Sequence, residues 1–153
     1  MIFAVCIAII AIAFTIKDRY ENRIWYDFKK DIVNEYDIIR TIDRNNSGPH
    51  SYIWVYLKED KIELESAEKI FGSILRKMND KTFSEYMIKY HNKHASGEFV
   101  FMNIIFKYKD NQSNVMYDFE AVGDEKPYYS KWRVAKGENG EYMEKEYRLS
   151  DYK

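Results

Sequence analysis

The chain has one cysteine, Cys6, so no internal disulfide can form. That excludes a small secreted domain stapled by disulfides. It has no excess of either charge: 24 Lys and Arg stand against 25 Asp and Glu, a formal net charge of −1. A balanced chain exerts no overall pull on nucleic acid. There is no G-x-S-x-G nucleophile elbow, and the one thiol lies in an apolar run. There is no phosphate loop of the G-x-x-x-x-G-K-[ST] or G-x-G-x-x-G kind. Internal repeats and low-complexity segments are absent too, which excludes a solenoid and a disordered tail.

What the chain has instead is aromatic surface: 14 Tyr, 9 Phe and 3 Trp in 153 residues, 17% of the total. That is enough for one ordinary domain with its own core, and it suits sheet, where Tyr and Phe fit a pleated, half-buried surface. The chain also opens on sixteen residues, MIFAVCIAIIAIAFTI, without a charged side chain, closed by Lys17, Asp18 and Arg19. The hydropathy of this run predicts a single transmembrane anchor over residues 1–16, contacting lipid. Lys17 and Arg19 would snorkel, and Tyr20, Trp25 and Tyr26 would lie in the headgroup belt. A helix of that length reaches roughly 24 Å against a hydrocarbon core of about 30 Å. The expectation is a single-pass protein of the cell membrane. An exported domain fits a lone N-terminal span, whereas Lys17, Arg19, Arg23, Lys29 and Lys30 directly after the run argue for the cytoplasmic side.

Beyond the anchor, Trp25, Phe28, Ile32, Tyr36 and Ile39 recur at helical steps, predicting an amphipathic helix over 18–42 that ends in the loop Asn45-Asn46-Ser47-Gly48-Pro49. Residues 17–47 thus read as a juxtamembrane helix and loop, and 48–153 as a small α+β domain. Residues 51–58 alternate as a strand, with Ile53, Val55 and Leu57 opposite Tyr52, Trp54 and Tyr56. Ala67, Ile70, Phe71, Ile74, Leu75 and Met78 mark a helix over 65–78 capped by Ser66. Thr82-Phe83-Ser84-Glu85 reads as the capping box of a second helix. Strands follow at 99–109, 115–122, 128–136 and 142–149, the last pair joined by Asn139-Gly140. The predicted fold class is α+β: an N-terminal transmembrane helix, a helix, a strand, two helices, and a four-stranded antiparallel meander forming a curved sheet packed on helices.

Candidate sites are few. His91 and His94 stand three apart near a helix end, a spacing that can present two imidazoles to a metal. No third ligand is nearby, and histidines at a helix C-terminus also favour the helix dipole, so no metal is expected. Asp118 and Glu120 alternate on one strand face and read as a solvated pair. Lys107-Tyr108-Lys109 and Lys131-Trp132-Arg133 mix basic and aromatic residues, but a strand sends the two kinds to opposite faces, so nucleic acid is not expected. The distinctive feature is the row Tyr52, Trp54, Tyr56, with Tyr128 and Tyr129 joining it. It is either the second side of a doubly covered strand or an interaction surface. The functional expectation is a non-enzymatic domain without cofactor that binds a protein or peptide beside the membrane, such as an immunity protein or an envelope-machinery subunit. The alternative is a ligand pocket or weak enzyme inside the curved sheet.

Overall fold

The computed structural model describes residues 2–95, 101–108, 115–122, 130–137 and 141–152. The elements run α1 (Ile2–Glu21), α2 (Arg23–Glu35), β1 (Ile39–Ser47), β2 (His50–Leu57), α3 (Leu64–Met78), α4 (Lys81–His94), β3 (Phe101–Lys107), β4 (Val115–Ala121), β5 (Lys131–Lys136), β6 (Glu141–Arg148), and a short 3-10 helix, Leu149–Tyr152. The six strands form one mixed sheet in chain order. β2 and β3 are parallel and every other neighbouring pair is antiparallel. The parallel step exists because the α3–α4 crossover lies between β2 and β3, and a parallel pair needs such a long connection.

Two parts of the expected architecture are corrected. The sheet has six strands, because residues 39–47, expected as helix end and loop, form β1. The expected boundary after residue 47 falls at the hairpin between β1 and β2, where Ser47 pairs with His50 across Gly48 and Pro49. Gly48 takes φ +56, a left-handed conformation that a two-residue hairpin demands and glycine supplies at little cost.

The second correction concerns the anchor. Among the described residues no helix is long and apolar enough to cross a membrane. α1 has 20 residues, but its last turns carry Lys17, Asp18, Arg19 and Glu21, which shorten the apolar stretch below a bilayer's width. The single-pass membrane assignment therefore falls. Trp25 is a core residue, 5% exposed, with its ring 5.3 Å from Phe28. Tyr26 donates to Asp18 Oδ2 at 2.9 Å, and Lys17 lies 3.9 Å from Glu21. Arg19 and Tyr20 are exposed. α1 does not run into α2 as one straight helix: Asn22 interrupts it at φ −108, ψ 14.

Helices α2, α3 and α4 pack on one face of the sheet. Ile53, Val55 and Leu57 of β2, Ile104 and Phe106 of β3, Phe119 of β4, and Trp132 and Val134 of β5 all point at them and are fully buried. Phe71 of α3 is the hub: its ring stacks on Phe119 at 4.2 Å and meets Trp132 and Tyr147 edge-on at 5.3 Å each. Helix α4 is capped two residues earlier than the expected box: Asp80 is the N-cap, accepting from the Phe83 amide at 3.0 Å, which holds its carboxyl below the ordinary range. The N-cap of α3 is Glu63, not Ser66, and its side chain makes no capping bond.

Candidate functional site

Strand alternation sends every second residue to the face away from the helices. The strand register then fixes which of these stand side by side. One row across the sheet is Tyr52, Asn103, Glu120, Arg133 and Glu146; the next is Trp54, Ile105, Asp118, Ala135 and Tyr142. Among the described residues no helix lies over these rows. Asn103, Ile105 and Ala135 at the centre are nearly buried, while Tyr52 and Trp54 on one side and Arg133 and Tyr142 on the other are half-exposed or exposed. The face is thus deepest along β3 and β4, with aromatic rims.

The rims are held in place by cations. Lys107 Nζ sits 4.0 Å above the Trp54 ring, and Trp54 meets Tyr56 edge-on at 6.3 Å. On the far side Arg133 lies 3.8 Å above the Tyr142 ring and donates twice to Glu120 Oε2, at 2.9 and 2.6 Å. Tyr142 donates to the same oxygen at 2.9 Å. Glu120 is therefore satisfied three times over, and burial together with this bond raises the Tyr142 hydroxyl's pKa.

Asp118 is placed differently. Its register neighbours are Ile105 and Ala135, both nearly buried. It accepts one hydrogen bond, from Asn103 Nδ2 at 2.9 Å. Among the described residues no cation lies within ion-pair distance of it, although Arg133 stands on the next strand. Desolvation pushes its pKa up to about 6, the Asn103 bond opposing this and the Glu120 charge adding to it. Tyr52, across the sheet, is also raised, first by burial and then by the charges of Asp118 and Glu120. The pair expected to be a solvated strand face is thus one neutralised carboxylate beside one desolvated carboxylate.

The aromatic row is only partly exposed: Tyr52 and Trp54 are half-buried, whereas Tyr56 is 5% exposed and closer to core than surface. Tyr128 and Tyr129 lie outside the described residues. His91 and His94 face different surroundings. His91 is fully buried, with Nδ1 2.7 Å from Ser51 Oγ, which in turn donates to Asn46 Oδ1 at 2.8 Å. His94 is exposed and rests on Tyr90, ring centroids 4.5 Å apart.

A second polar cluster went unnoticed in the sequence. The Arg44 guanidinium stacks 3.5 Å over Tyr90, with Trp25 at 4.9 Å and Tyr86 at 5.2 Å. It donates to the Tyr86 hydroxyl and, at 2.7 Å, to Asn22 Oδ1. This residue ties β1 to α4 and to the α1–α2 break, a structural clasp of cation–π contacts. No sequence motif announces it, because its partners come from two segments, residues 22–25 and 86–90, both remote from Arg44 in the chain.

The chain matches no protein-family model, no curated protein and no solved structure.

Proposed function

We propose that this protein is a non-enzymatic binding domain whose helix-free sheet face receives a protein or peptide partner. The observation that carries the reading is the row of Tyr52 and Trp54 standing half-exposed beside the deep β3–β4 centre, on the face opposite the helices. Tyr and Trp supply large contact area at low entropic cost and are enriched where partners dock. The filled core behind the sheet provides a rigid platform, with Trp132, Phe71, Phe106 and Phe119 all fully buried.

Truncating Trp54 separates a contact role from a core role. Trp54→Ala is expected to lower stability by no more than about 1–2 kcal/mol, whereas Phe119→Ala should cost about 3–5 kcal/mol, typical of an aromatic removed from a packed interior. The tagged Trp54→Ala protein should also lose the protein that co-purifies with the wild-type chain, while Glu85→Ala on exposed α4 should keep it. A Trp54→Ala Tm as low as that of Phe119→Ala, or an unchanged set of co-purifying proteins, would refute the proposal.

A ligand pocket over the same face is the second reading. It is favoured by one observation, the desolvated Asp118 carboxyl at the sheet centre, since such groups concentrate at sites that act on small molecules.

A further inference from the structure

Asp118 is a carboxylate near the centre of the face away from the helices, and among the described residues no cation lies within ion-pair distance of it. Across the sheet, Glu120 takes Arg133 and Tyr142, and Glu146 takes Lys131 at 2.8 Å. Asp118 takes only the neutral Asn103 amide and is flanked in register by Ile105 and Ala135. Arg133, whose charge acts on Asp118 from the next strand, is held by two bonds to Glu120 and by the Tyr142 ring. A carboxylate in an apolar setting costs free energy unless a counter-charge joins it. The surrounding rings suit that counter-charge: Tyr52 stands in the adjoining row and senses the Asp118 charge, and Trp54, in the same row two strands away, already carries the Lys107 ammonium 4.0 Å above its ring. A carboxylate beside aromatic faces is the combination that recognises ammonium and guanidinium groups.

We infer that the partner places a lysine or arginine side chain against Asp118, between the Tyr52–Trp54 rim and the Glu120–Arg133–Tyr142 cluster. This rests on the helix-free face being the docking surface, and it adds the chemistry of the contact. The charged and titratable groups on the face around Asp118 are Tyr52 on β2, Lys107 on β3, Glu120 on its own strand, Arg133 on β5 and Tyr142 on β6. Of these, the cation Arg133 and the anion Glu120 are paired with each other and Lys107 lies over the Trp54 ring, which leaves Asp118 without an ion pair among the described residues. An incoming cation would favour the ionised carboxyl.

The test uses the full chain and n-butylguanidinium chloride as the probe, with 1-butanol and sodium chloride as controls. The Asp118 side-chain carboxyl is followed by carbon NMR and the Trp54 indole by proton NMR. The expected result is that the cation moves the Asp118 titration midpoint down from about 6 and shifts the Trp54 indole, and that neither control does. Asp118→Asn should abolish the indole shift, and should weaken binding of any partner recovered through position 54 by roughly tenfold or more, the usual weight of a charge-assisted bond. Equal responses to butanol and butylguanidinium, no response to either, or a shift that survives in Asp118→Asn would overturn the inference. A partner that crosslinks at position 54 equally well in wild type and Asp118→Asn would leave the docking face standing and remove only the cation. A cation response with no partner at position 54 would do the reverse.

Discussion

At the scale of single residues, Asp118 sets a measurable property of the fold. Its native pKa of about 6 lies above the ordinary value of 3.8, so the folded protein holds this proton more tightly than the unfolded chain does. The neutral form is therefore the one that folding favours. Its contribution is fully present below the unfolded value and is lost as pH rises through the window from 3.8 to about 6. The full loss is at most about 3 kcal/mol, taking 1.36 kcal/mol for each pH unit of displacement. Asp118→Asn removes the ionisation and keeps an oxygen for Asn103. The variant should match the wild type near pH 4 and exceed it at pH 7.5, as read by thermal melts at both values. A variant less stable than wild type at pH 7.5 would show that the carboxylate has a stabilising counter-charge after all. The sequence displayed the alternation that puts Asp118 and Glu120 on one face, and that alternation is what the strand has. It could not display that both neighbours of Asp118 in the sheet are apolar, because Ile105 and Ala135 come from other strands whose register is set only by folding.

At the scale of elements, the helical look of β1 has a local cause. β1 reads as a helix continuation because Ile39 and Ile42 stand three apart, a helical step. Both are fully buried on the helix side of the sheet, and a register shift between Ile39 and Thr41 is what lets an odd spacing face one way. A bulge thus imitates helical periodicity. The α3 stripe, by contrast, was plain in the sequence from Ala67 to Met78, since no irregularity interrupts it. What the stripe could not explain is Gly72. An added Cβ there would come within 2.7 Å of the Tyr152 ring, so the glycine admits the C-terminal 3-10 helix against α3. Gly72→Ala should therefore destabilise the wild type by displacing Tyr152. In a Tyr152→Ala background the same change should stabilise by up to about 1 kcal/mol, the intrinsic helix preference of Ala over Gly. Urea melts of the four proteins give this cycle; equal effects of Gly72→Ala in both backgrounds would separate the glycine from the tyrosine.

At the scale of the whole molecule, the helices bury one face of a six-stranded sheet and the opposite face carries the distinctive chemistry. The apolar opening of the chain forms a helix with charged last turns, and of the residues after it Trp25 enters the core while Tyr26 stays exposed and donates to Asp18. The aromatic row was legible from alternation alone. Its division was not: Tyr56 is buried beneath Arg40, 5.8 Å from its ring, while Tyr52 and Trp54 reach the surface. The most direct measurement of the central claim is site-specific photo-crosslinking in cells that make the protein. A benzophenone amino acid at position 54, on the helix-free face, should yield one discrete adduct, and the same group at position 85, on exposed α4, should not. No adduct from position 54, or the same adduct from both positions, would contradict the account.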